Sequence, residues 1–262
     1  MGFTHIDTAH DYCADGTTGS CKTGSTQLGI SKAIAGVARD SLFITTKVPG
    51  CGKQGIGRST CAADSLAAAE ANLRELNTSY VDLLLVHFPP LGGCGALNCP
   101  VIQSQWAALE SFYAQKKAKS IGVSNFCVSC LDCLAKNASA TVPAVNQIEF
   151  HIGMGADPEG LLSTCAARGI VPQAYSPLGD STPELISGDL VTSIGAAHNK
   201  SGVQVALRWI YQHGVAVTTK STNAAHLAQD LDIFDWKLTD AEQARADAAT
   251  KPKGTPSFMC SK

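Results

Sequence analysis

Asp7, Tyr12, Lys47 and His87 stand at or just beyond the C-terminal ends of three successive apolar runs, Phe3 to Asp7, Leu42 to Lys47 and Val81 to His87. In a parallel β/α protein that strand edge is where chemistry is assembled. One ionisable residue ending a strand is unremarkable; four at successive strand ends point to a shared site for acid–base chemistry. A lysine in such a place also has the chemistry of a Schiff-base nucleophile, which leaves a barrel lyase as a further reading.

The elements that must position these residues recur along the chain. Strand-like segments are expected at Phe3 to Asp7, Leu42 to Lys47, Val81 to His87, Ser120 to Val123, Val145 to Phe150, Ile170 to Tyr175 and Val215 to Thr219. Helical patterns fall between them at Ala62 to Leu76, Gln105 to Lys117, Cys130 to Lys136, Leu161 to Arg168 and Val203 to Gln212. This alternation predicts β/α units around a parallel sheet, with strands apolar on both faces because both are covered. The string Gly50 to Gly55 matches GxGxxG after a strand. However, Ile56 to Thr60 separate it from the next helix and Glu70 falls inside that helix, so a flexible loop is expected instead of a Rossmann turn.

With 262 residues and 45% apolar content the chain is expected to form one domain over 1–262, in the size range of an eight-fold β/α barrel. A net charge of −2 and the absence of like-charge blocks argue against nucleic acid and membrane surfaces as partners, leaving small molecules. No apolar run approaches the roughly 18 residues of a spanning helix, and no signal-like segment precedes the fold, so a cytoplasmic site is expected. Eleven cysteines and three N-x-Ser sequons (Asn77, Asn137, Asn199) leave a secretory route open. Cys13 with Cys21, Cys51 with Cys61 and Cys94 with Cys99 fall as close pairs that could form disulfides, the alternative being reduced thiols. Cys127, Cys130 and Cys133 form CxxCxxC, but the helical pattern around them argues against an iron–sulfur cluster, and no metal is expected.

The chain resembles the aldo-keto reductase superfamily over essentially its whole length. The segments that carry the resemblance are GFTHIDTAHDY, LFITTK, DLLLVHFP, SIGVSNF, VNQIEFH, QAYSPLG and TTKST, in the family's order. The resemblance implies a (β/α)8 TIM-type barrel, seven of whose strands are visible, that reduces an aldehyde or ketone with NADPH. Tyr12 would then be the general acid, Lys47 and Asp7 would tune it, and His87 would orient the carbonyl. A free phenol titrates near pH 10, about three units above neutrality, so Lys47 is expected to make Tyr12 a better proton donor. Ser124, Asn125 and Gln147 match positions that hold the nicotinamide carboxamide, and Tyr175 matches the ring that stacks on it. Ser176 and Leu178 would lie along the pyrophosphate and ribose. Lys220 and Ser221 match the pair that grips the 2′-phosphate, with His226 where NADPH-using members carry arginine. A half-charged imidazole is the weaker phosphate partner, so NADH remains possible. Phe88 stands at the substrate mouth where many members have tryptophan.

The family's N-terminal hairpin, first strand and first helix have no counterpart before Met1-Gly2-Phe3. An exposed edge at Phe3 and Val215 is therefore expected, in a monomer able to self-associate there. The competing reading is a catalytically impaired, aldo-keto-reductase-like protein that binds a dinucleotide or a partner. The intact tetrad favours the enzyme. The tail near Met259 and Cys260 specifies nothing further.

Overall fold

Leu83-Leu84-Leu85-Val86 buries every side chain, as an apolar run does when both faces of a parallel strand are covered. The same logic produces the other strands. The computed structural model describes residues 2–18, 21, 24–53, 56–137 and 141–254. Within them lie β1 (His5–Asp7), β2 (Phe43–Val48), β3 (Leu83–Val86), β4 (Ile121–Ser124), β5 (Val145–Glu149), β6 (Val171–Tyr175) and β7 (Ala216–Val217). The strands are parallel and follow sequence order, β1-β2-β3-β4-β5-β6-β7. With helices between them this is the (β/α)8 class, seven strands of which are present among the described residues. Gln54, Gly55, Met259 and Cys260 lie outside the described residues.

Two compact bodies make up the described residues, Gly2–Asn146 and 147–254. In the first, β1 pairs with β2 through Asp7 and Thr45, β2 with β3 through Lys47 and Leu85, and β3 with β4 through Leu85 and Gly122. These registers bring the polar strand ends to one level. Its helices are α1 (Thr26–Ala33), α2 (Cys61–Glu75), α3 (Cys99–Ala114) and α4 (Val128–Ala135). α2 buries Ser65, Ala68, Ala69, Asn72 and Leu73, an i, i+3, i+4, i+7, i+8 stripe typical of a helix facing a core. Two glycines permit close approach. A Cβ on Gly122 would sit 2.6 Å from Val145 O, and one on Gly50 would sit 2.3 Å from Phe88 O. Gly50 thus serves the packing of the loop after β2 against the loop after β3, and Glu70 lies within α2.

Asp82 ties the opposite strand ends together. One carboxylate oxygen accepts the Ile44 N–H at 2.9 Å and Arg39 at 2.7 Å, while Lys119 approaches the other at 3.0 Å. Burial pushes its pKa up, but these donors outweigh burial and hold it below the usual carboxylate range.

The second body contains α5 (Leu161–Ala167), α6 (Pro183–Ile186), α7 (Asp189–His198), α8 (Gly202–Gln212), α9 (Ala224–Leu231) and α10 (Asp240–Asp247). Its core includes Phe150 stacked on Trp209 at 4.9 Å, with the Trp209 indole donating to Asp247 at 2.7 Å. α8 and α10 each start with a capping box, Ser201 with Gln204 and Thr239 with Glu242, which satisfies otherwise unpaired N–H groups of the first turn.

Four disulfides are present among the described residues. Cys13–Cys21 and Cys51–Cys61 close the loops after β1 and β2, the disulfide form of the two readings open for these pairs, but Cys94 does not pair with Cys99. Cys94 pairs with Cys130 and Cys99 with Cys133, at Cα separations of 5.0 and 5.5 Å. The reason is helical: Cys130 and Cys133 are three residues apart and so share one face of α4. Each therefore meets a cysteine near the start of α3. Cys127 Sγ lies 3.4 Å from Cys130 Sγ. Cross-links spanning 36 and 34 residues are worth about 3–4 kcal/mol by chain entropy, and the second closes nearly the same loop as the first. Reduction with a dithiol is expected to lower the melting temperature by roughly 6–16 °C for a chain of this size. Differential scanning fluorimetry with and without reductant measures it.

Candidate active site

Lys47 is fully buried, and an ammonium without partners could not remain there. Its three protons have three acceptors: Asp7 Oδ1 at 2.5 Å, Thr8 O at 2.9 Å and Tyr12 Oη at 3.3 Å. Burial lowers the Lys47 pKa, but the Asp7 charge and then Tyr12 outweigh it, so the amine stays protonated. For Tyr12 the balance falls the other way. Burial raises its pKa more than Lys47 lowers it, and the phenol holds its proton more firmly than a free one. Lys47 therefore acts in the expected sense, yet burial decides the net direction.

The backbone places these groups. Thr8 N–H donates to Thr45 O at 2.9 Å and His10 N–H to Lys47 O at 3.1 Å, carrying the chain from β1 alongside β2. Asn72 of α2 donates to Lys47 O at 3.1 Å and faces His10 Nδ1 at 3.0 Å, so one buried amide fixes both. Tyr12 O accepts the Thr26 N–H at 2.8 Å, and the disulfide of Cys13 follows directly. His87 follows β3 directly, with its N–H on Val48 O at 2.8 Å. Its ring lies 5.5 Å from that of Tyr12, edge to face, and stacks on Phe88 at 4.4 Å. Asp7, Tyr12, Lys47 and His87 are thus brought together.

Sequence reasoning missed Asp11. It is buried, and its Oδ1 accepts from His87 Nδ1 at 2.8 Å. Burial raises the Asp11 pKa, but the His87 hydrogen bond overcomes this and keeps it a carboxylate. The available signal was an acid directly before Tyr12 in DTAHDY.

Ser124 and Asn125, at the end of β4, are buried, and the Asn125 amide donates to His87 O at 2.9 Å and Ser124 Oγ at 3.1 Å. They therefore lie against the His87 backbone. The remaining cofactor candidates belong to the second body. Gln147 on β5 donates to Gln173 at 2.8 Å. Tyr175 ends β6, and Ser176 and Leu178 follow it, with Ser176 donating to Asp180 at 2.7 Å. Lys220 is exposed after β7, Ser221 accepts the Asn223 N–H at 3.0 Å, and His226 is exposed on α9.

Comparisons with known proteins bear on the family and the fold. A model of the aldo/keto reductase family matches residues 1–251. Glyoxal reductase of Bacillus subtilis is 36% identical over 250 residues, covering 95% of this chain and 80% of that protein. An aldo-keto reductase from a Medee basin deep-sea metagenome library superposes with a TM-score of 0.78 at 28% identity, over 95% of this chain and 83% of that one. Another, solved complexed with NADPH, gives a TM-score of 0.75 at 27% identity, over 94% and 73%. On the strength of the family match and the shared fold, the chain belongs to the aldo/keto reductase family and is an oxidoreductase.

Proposed function

We propose that this protein reduces an aldehyde or ketone to the alcohol, using NADPH in preference to NADH. The observation that carries the reading is the buried Lys47 ammonium, donating to both Asp7 and Tyr12 Oη. With Oη accepting from Lys47, the phenolic proton is left to be given, and Tyr12 acts as general acid to the carbonyl oxygen. Lys47 stabilises the phenolate that results, and Asp7 keeps Lys47 charged and in place. His87 orients the carbonyl oxygen by donating from Nε2 in the protonated form of its ring, and Phe88 supplies an apolar wall beside it. Alcohol oxidation uses the same groups in reverse.

The donor set suits a phosphorylated dinucleotide. Lys220 is exposed and makes no ion pair among the described residues, and an ammonium beside a hydroxyl matches a phosphate. Lys220, Ser221 and His226 would hold the 2′-phosphate; Ser176 and Leu178 would flank the pyrophosphate. Ser124, Asn125, Gln147 and Tyr175 would hold the nicotinamide. The bound cofactor supplies hydride. The four disulfides support an oxidising working compartment over the cytoplasm.

The test is consumption of NADPH and of NADH by the purified chain against a panel of aldehydes and ketones. Turnover is expected to be faster with NADPH. Lys220→Gln should weaken NADPH binding about tenfold or more and leave NADH unchanged, since one charge-assisted contact is lost. Cofactor binding without turnover on any carbonyl would favour the nonenzymatic reading.

A further inference from the structure

We propose that Asp11 is a positioning residue that fixes the tautomer of His87, so that Nε2 accepts a hydrogen bond when the ring is neutral and donates one only when the ring is doubly protonated. The proposal rests on the reading of this site as a carbonyl reductase. A carboxylate can only accept, so the 2.8 Å contact commits the Nδ1 proton to Asp11. Asp11 is buried, and its second oxygen, Oδ2, has no hydrogen-bond partner among the described residues. The side-chain partner of this carboxylate is therefore His87. His87 Nε2 makes no hydrogen bond among the described residues, and the ring is clamped between Phe88 and the edge of Tyr12.

The charged groups facing His87 are Asp11 from the loop after β1, Asp7 from β1 and Lys47 from β2. Burial, aided by Lys47, lowers the His87 pKa despite both carboxylates, so the ring is neutral at pH 7. A neutral ring then presents a lone pair to substrate oxygen. That suits an alcohol, which can donate, and repels a carbonyl, which cannot. Carbonyl reduction therefore gains as pH falls through the His87 pKa, below 6.5, and alcohol oxidation gains as pH rises through it.

Two measurements on wild type and Asp11→Asn test this. Nitrogen-15 NMR of the His87 ring, assigned with His87→Gln, is expected to show a protonated Nδ1 and bare Nε2 in wild type at neutral pH. In Asp11→Asn, whose amide can donate to Nδ1, the Nε2–H form should be populated. The kcat/KM profile for reduction in wild type should fall about tenfold per pH unit above the His87 pKa, and that limb should flatten in Asp11→Asn. A purely structural role for Asp11 would lower activity at every pH alike. An Nε2–H ring in wild type, or superimposable pH profiles, would overturn the proposal. A wild type with bare Nε2 and no turnover on any carbonyl would uphold the tautomer assignment and refute the reductase reading.

Discussion

Tyr12→Phe is expected to cut carbonyl reduction by roughly 10²- to 10⁴-fold, the range for losing a positioned general acid. That corresponds to about 3–5.5 kcal/mol of transition-state stabilisation. The substitution keeps the ring, its edge-to-face contact with His87 at 5.5 Å and its place under the Lys47 ammonium at 4.8 Å from the ring centre. It removes only Oη. Stability and cofactor affinity should therefore change little, and the loss should fall on kcat and kcat/KM together. Steady-state kinetics with cofactor-fluorescence titration separates the two. Unchanged turnover would remove Tyr12 from the chemistry, because no other phenol stands beside Lys47 among the described residues.

Lys47→Met is the second large effect, and it acts on fold and chemistry together. Methionine fills the same buried channel but removes the charge that faces Asp7, Thr8 O and Tyr12 Oη. Breaking a buried pair by deleting one partner commonly costs 3–5 kcal/mol. Asp7 keeps 18% side-chain exposure, so water can take over part of its solvation, and about 2–3 kcal/mol is expected. Activity should fall at least as far as in Tyr12→Phe, since a phenolate left without a cation in a dry site is strongly disfavoured. Denaturant titration and steady-state kinetics check the two halves. Lys47→Arg would not restore function, because a planar guanidinium cannot reach three converging acceptors as an ammonium does.

Much of this was legible before any coordinates. The strand runs follow from local apolar content, and residues ending them needed only β/α alternation to share an edge. Boundaries were less secure. Val81 to His87 contracts to Leu83–Val86, with Val81 left in an isolated bridge to Ala118. Val215 to Thr219 contracts to Ala216–Val217. Helices α1, α6, α7, α9 and α10 were not singled out; α10 (DAEQARAD) has scarcely any apolar stripe, though its Thr239-x-x-Glu242 capping box was readable.

Local strings thus determined the β/α order and the four reactive side chains, and they offered, beside reduced thiols, the two disulfides closed within single loops. Each depends on neighbours in sequence or on a fixed repeat. Only tertiary structure decided the rest. The pairing of Cys94 with Cys130 depends on which face of α4 meets the start of α3. The net rise in the Tyr12 pKa depends on burial outweighing a nearby charge. The Asp11–His87 pair joins residues 76 apart, through a turn whose direction is set by β1 lying beside β2. Burial and long-range contact are properties of packed elements, and no local pattern of residues encodes them.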